Sequence, residues 1–127
     1  LENVLLGALF GCGAGGDAKE RAESLLHKVG LGDRMQHRPG ELSVGQVQRV
    51  AICRALINDP QLILMDEPLG NQDQATGGQV LDMMLQIASD DKKTVVMVTH
   101  DPGSAKRMQR TVDLASLRSD LAEETQR

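Results

Sequence analysis

Two short apolar runs limit the fold of this chain more than any other feature: Leu62-Ile63-Leu64-Met65 and the β-branched stretch from Thr94 to Thr99. Each has the length of a strand and is too short for a core helix. Between them, from about Ala75 to Ala88, Val80, Leu81, Met84, Leu85 and Ile87 recur at the spacing that puts them on the inner side of a helix. Strand, helix and strand in that order make a βαβ unit and imply a parallel sheet, so the expected class is α/β. The first run is continuous, not alternating, which is the pattern of a strand covered on both faces.

Upstream, Asp17 stands where a helix cap is expected, and Ala22, Leu25, Leu26 and Val29 share one side of a helix that Gly30 would stop. A further helix is predicted from about Val44 to Ile57, entered through Ser43 and ended by Asn58-Asp59-Pro60. Its second half is apolar almost all round, as in a buried helix. Leu1 to Phe10 is a short apolar segment, and Gly11-Cys12-Gly13-Ala14-Gly15-Gly16 is a join too glycine-rich to hold a regular element cheaply. Gly32 to Glu41 reads as a loop, Pro102 to Gln109 as helix, Thr111 to Leu114 as a third strand, and Ala115 to Arg127 as a polar tail, a loose helix carrying Leu117 and Leu121.

Composition removes several function classes. At 127 residues one domain is expected. Phe10 is the only aromatic residue, which weighs against base stacking on single-stranded nucleic acid, and a net charge of -4 with no basic block gives no nucleic-acid footprint. Cys12 and Cys53 belong to no CxxC or Cys/His cluster, so neither zinc nor a disulfide framework is indicated, and a reducing cytosol fits. The longest uncharged stretch, Asn3 to Gly16, falls short of the roughly 18 apolar residues of a membrane span and is broken by glycines. The chain opens Leu1-Glu2 without Met, from which the expectation is that its true beginning lies upstream.

Three places could carry chemistry. At the end of the first strand stand Asp66, Glu67 and Pro68. Neighbouring side chains of an extended chain point to opposite faces, so the two acids have different targets, and Pro68 biases Glu67 toward extended backbone. At the carboxyl end of a parallel strand, one carboxylate can hold Mg²⁺ through water and the next can orient or deprotonate an attacking water. Two solvated turn acids would give the same tetrapeptide. Second, Ser43 and Gly45 at a helix start offer a hydroxyl, free amides and room for a phosphate oxygen, although an ordinary serine cap reads alike. Third, His100 follows the second strand directly, which brings it to the same sheet edge as Asp66 and Glu67, where an imidazole can contact a terminal phosphate. His27 and His37 read as surface residues.

Together these segments closely resemble the nucleotide-binding domain of ATP-binding cassette (ABC) transporters over roughly Leu1 to Leu114. Leu42-Ser43-Val44-Gly45-Gln46 and the residues on to Leu56 look like the family signature and its helix, Leu62 to Pro68 like the Walker B strand with its glutamate, Gly70-Asn71-Gln72-Asp73 like the D-loop, and Val98-Thr99-His100-Asp101 like the switch histidine. The resemblance implies a partial P-loop NTPase-like three-layer α/β fold plus the ABC helical subdomain. Residues 1–58 would be the helical subdomain with the signature and its helix, 59–114 part of the RecA-like core, and 115–127 a polar tail.

By the same resemblance, Asp66 would order Mg²⁺, Glu67 would polarise the water attacking the γ-phosphate of ATP, and His100 would contact that phosphate. Ser43, Gly45 and Gln46 would bind ATP held by a second ABC ATPase subunit in a head-to-tail dimer, and Asp73 would reach across that dimer. A transmembrane permease subunit would be the other partner, nucleic acid would not, and the location would be the cytoplasmic face of the inner membrane. His37-Arg38-Pro39-Gly40-Glu41 and Pro68-Leu69-Gly70-Asn71 look most like the lipoprotein-release and macrolide-export branch.

The chain also departs from the family. Val44 stands where the signature has a glycine and Val47 where it has a glutamine, so the amide cradle carries an extra side chain. None of the five lysines follows a glycine, so the 127 residues contain no P-loop. The expectation is therefore a fragment of an ABC ATPase that does not turn over ATP alone, with a truncated noncatalytic module that docks on a transporter or a complete ATPase subunit as the alternative. A chromosome-maintenance ATPase is a weaker third, since no coiled-coil heptads flank the motifs. Gly11 to Gly16 satisfies GxGxxG, but the preceding run has Val4 as its only β-branched residue and makes a poor strand.

Overall fold

Both expected strands form, and they pair in parallel. The computed structural model describes residues 1–9, 17–69, 74–114 and 116. Strand β1 (Leu62–Asp66) lies beside β2 (Thr94–Val98), with Leu62 opposite Thr94 and Asp66 opposite Val98. Before the sheet come helices α1 (Glu2–Leu9), α2 (Ala18–Lys28) and α3 (Val44–Leu56). Helix α4 (Gln74–Asp90) makes the crossover between the strands, and the short α5 (Pro102–Ala105) follows β2.

One core runs through the assembly. Ile63 and Met65 of β1 join Ile52, Cys53 and Leu56 of α3, Val80, Leu81, Met84 and Ile87 of α4, Leu25 and Leu26 of α2, and Val4 and Ala8 of α1. The segment read as merely apolar at the start of the chain is thus a helix docked on α3. A Cβ on Gly7 would lie 2.6 Å from the carbonyl oxygen of Arg54, so this crossing requires glycine. Helix α2 stops as expected: Gly30 has φ +71° and Leu31 N–H returns to Leu26 O at 2.8 Å. Arg49 of α3 donates to Val29 O at 3.2 Å, which joins the end of α2 to α3.

Several expectations are corrected. The β1 strand is covered on one face only: Ile63 is 3% exposed, whereas its neighbour Leu64 is 73% exposed. Leu62, Leu64, Val96 and Val98 form a bare apolar row on the other face, for which the described residues supply no cover. Helix α3 is likewise buried on one side, with Ala51 and Ala55 exposed despite its apolar second half. Thr111 to Leu114 forms no strand, because a strand exists only through a hydrogen-bonded neighbour and none lies beside it among the described residues. Helix α5 covers four residues, not the expected stretch to Gln109. Asp17 makes no side-chain cap bond, and the loop from Gly32 to Glu41 contains two 3₁₀ turns, Gly32–Arg34 and Pro39–Glu41. The glycine-rich join and nearly all of the tail lie outside the described residues.

Candidate functional site

Parallel pairing brings the carboxyl ends of β1 and β2 side by side, and there Glu67 and His100 meet, with Asp66 one residue before Glu67. Asp66 is the last residue of β1 and is exposed; by strand alternation it shares the bare face with Leu62 and Leu64. Its carboxylate makes no hydrogen bond or ion pair among the described residues, so its oxygens remain available. Glu67 is the next residue, and its N–H donates to Val98 O at 2.9 Å, which fastens the turn to β2.

The Glu67 side chain is engaged at both oxygens. Thr99 Oγ1 donates to Oε2 at 3.1 Å. Oε1 accepts the backbone N–H of His100 at 2.9 Å and lies 2.8 Å from His100 Nδ1. Because a carboxylate only accepts, Nδ1 must carry the proton in this pair, leaving Nε2 directed elsewhere on a ring that is 89% exposed. The hydrogen bond from the His100 ring holds the Glu67 carboxyl below its ordinary 4.5, with help from Thr99 and the His100 N–H and against partial desolvation. The same bond raises His100 above its ordinary 6.5, and the negative charges of Glu67 and Asp101 add to it.

Glu67 does not have the extended backbone expected before a proline. Its φ is +42°, in a region costly for a side chain with a Cβ. The proline disfavours right-handed helical backbone at Glu67 but does not choose among the rest. The bonds to Val98, Thr99 and His100 hold the residue on its β2 side.

Thr99 is the residue that sequence reasoning passed over. Its hydroxyl donates to Glu67 and accepts from Asp101 N–H at 3.1 Å, so one oxygen spans the acid and the turn after the histidine. A hydroxyl residue directly before His100 was the available signal. Asp101 in turn caps α5 through Ser104 N–H and Oγ, each at 2.7 Å, which holds its carboxyl below the ordinary range.

Ser43, Gly45 and Gln46 lie at the start of α3. Ser43 Oγ accepts Gln46 N–H at 3.3 Å while Gln46 Oε1 accepts Ser43 N–H at 3.0 Å, a reciprocal capping box. Ser43 thus serves as a cap and still has its own O–H proton to donate. No hydrogen bond or ion pair joins Ser43 or Gln46 to Asp66, Glu67 or His100 among the described residues. Val44 is 69% exposed beside the cap, and Val47 is exposed as well. Asp73 lies outside the described residues. A cavity of about 360 Å³ lies at the opposite, amino end of the strands, where Arg21 and Lys93 pair with Asp59 and Lys28 pairs with Asp91. Each of its three cations already has a carboxylate partner, Asp59 being shared by two of them.

No group of three or more His, Cys, Asp or Glu side chains that could hold a metal occurs among the described residues. Asp66, uncommitted and exposed, still suits the way Mg²⁺ is bound in nucleotide enzymes, through one or two carboxylates with phosphates and waters completing the octahedron. No described helix is long and apolar enough to cross a membrane.

Comparison with known proteins gives a consistent result. The family described as "ABC transporter" matches residues 1–70. The lipoprotein-releasing system ATP-binding protein LolD of Syntrophus aciditrophicus is 47% identical over 114 residues, covering 90% of this chain and 51% of that protein. LolD of Pseudomonas fluorescens is 45% identical, covering 90% of this chain and 50% of that protein. The chain spans about half the length of these curated relatives. Among solved structures, the dimeric bacterial ABC transporter cassette MJ0796 superposes with a TM-score of 0.62 at 40% identity, over 82% of this chain and 46% of that one.

Proposed function

The chain belongs to the ABC transporter family, and from that premise we propose that it supplies the signature, Walker B and switch-histidine part of an ATP-hydrolysing cassette in a transporter of the lipoprotein-releasing kind. The family match and the relatives named for lipoprotein release support this reading. The observation that carries it is the Glu67–His100 pair at the carboxyl end of a parallel sheet, where α/β folds bind ligands.

The geometry suggests how the pair works. Glu67 is a carboxylate at neutral pH, and the bonds that lower its pKa make it a weaker base, suited to orient and polarise a water more than to take a proton early. Each carboxylate oxygen can accept twice, and Oε2 has one described donor, Thr99, so a water proton can occupy the remaining site. His100, raised in pKa and bound through Nδ1, can present a protonated Nε2 to a terminal phosphate oxygen of ATP. Mg²⁺, when bound near Asp66, would neutralise phosphate charge. In this reading Ser43, Gly45 and Gln46 meet ATP held by a second ATPase subunit arranged head to tail, and Asp73 reaches across the same dimer. Residues 1–58 form the helical subdomain that docks on a transmembrane permease, 59–114 belong to the RecA-like core, and the assembly lies on the cytoplasmic face of the inner membrane.

No Gly-Lys pair occurs in the 127 residues, so the chain by itself should not turn over ATP. A noncatalytic docking module is the second reading, favoured by Val44 in the signature. The test is ATP hydrolysis by the chain alone and by the chain fused behind the first half of a lipoprotein-releasing relative. The proposal expects activity only in the fusion, reduced about a hundredfold or more by Glu67→Gln. An inactive fusion that still binds a permease would favour docking. Glu67-dependent hydrolysis by the chain alone would overturn the assignment of a part-site.

A further inference from the structure

Glu67 sits at φ +42° directly before Pro68, so its turn has to be held in place. Every hydrogen bond described above that fixes it comes from the β2 side, from Val98, Thr99 and His100. From the α3 side there is one, Gln48 Nε2 donating to Pro68 O at 3.1 Å in a half-buried setting. The amide orientation follows from chemistry, since a proline carbonyl can only accept. Gln48 Oε1 is buried without a partner among the described residues. An orphaned acceptor is costly, and an apolar side chain of the same length would fill the space more cheaply if packing were the only requirement.

We propose that Gln48 is a positioning residue for Glu67, tying the turn that carries the carboxylate to the helix that begins at Ser43. The two ends of the candidate site touch different ligands in the functional reading above, on which the meaning of this link rests. Helix α3 is rigid over the short distance from the capping box to Gln48, so a displacement of its start is carried to Pro68, and thence to the orientation of Glu67 toward Thr99 and His100.

The test is made on the 127-residue chain by NMR at fixed pH. In Gln48→Met, protection of the His100 backbone N–H, which donates to Glu67, is expected to fall about three- to tenfold, the weight of one neutral hydrogen bond. The β1–β2 ladder amides should keep theirs, which a general loss of stability would not allow. Unchanged His100 protection overturns the proposal. Should the variant not fold, the wild-type chain decides: a scalar coupling across the hydrogen bond from Gln48 Nε2 to the Pro68 carbonyl carbon supports the tether, and its absence overturns it. Failure of the functional reading would be seen elsewhere, as hydrolysis by the fusion that is indifferent to Glu67→Gln.

Discussion

Glu67 Oε1 and His100 Nδ1 lie 2.8 Å apart, joining residues from the ends of two adjacent parallel strands. Proton affinity on each side is set by the other, and the backbone N–H of His100 donates to the same oxygen. The acid is therefore easier to ionise and the imidazole harder to discharge than either would be alone.

Replacing Glu67 by Gln should lower the midpoint of His100 toward 6.5, read from its ring resonances with His27 and His37 as controls in the same spectrum. For stability, the His100 part is complete below 6.5 and is lost as pH rises through the raised midpoint. The Glu67 part is complete above 4.5 and is lost as pH falls through the lowered one. Urea midpoints of the wild type minus those of Glu67→Gln should thus be largest between pH 4.5 and 6.5 and shrink on both sides. A difference flat with pH would mean that the pair does not persist in solution.

Adjacent positions in β1 should respond in opposite ways. Ile63→Ala empties a site that is 3% exposed and is expected to cost about 2–5 kcal/mol in denaturant unfolding. Leu64→Ala, on the bare face, should stay within about 0.5 kcal/mol and reduce self-association in sedimentation experiments. Equal losses at the two positions would mean that both faces are covered.

Cys53 is fully buried, and burial pushes its thiol up to about 12. It should react with a thiol reagent only after unfolding, so labelling followed at Cys53 itself, separately from Cys12, should rise in rate with urea concentration. Cys53→Ser leaves a hydroxyl in an apolar setting and should cost about 1–3 kcal/mol.

Val44→Gly removes an exposed side chain beside the Ser43 cap and restores a close approach for an anion. In the fusion with a relative's first half, apparent nucleotide affinity should improve by about two- to fivefold, the size of a helix-terminus interaction. No change would mean that the valine already stands clear of the phosphate path.

The order of elements was readable because it depends on local spacing: Val80, Leu81, Met84 and Ile87 mark the inner side of α4, and Ser43 with Gln46 marks the start of α3. The convergence of Glu67 and His100 followed from parallel strand direction alone. What escaped depends on contacts distant in sequence. Leu62 and Leu64 have the composition of a covered strand, but the described residues put nothing against them. The φ of Glu67 goes with partners at the end of β2 and just after it, the Thr99 hydroxyl signals its bridge only by standing directly before His100, and the Gln48 bond to Pro68 has no signature in local pattern.

Leu62, Leu64 and Asp66 stand in one row on the bare face of the sheet, so that row passes from oily to ionic within a single strand. Any surface that settles there must be matched to the gradient, dry over the leucines and hydrated or cationic over the carboxylate. A uniformly greasy cover would strand the charge, and a uniformly wet one would forfeit the leucines.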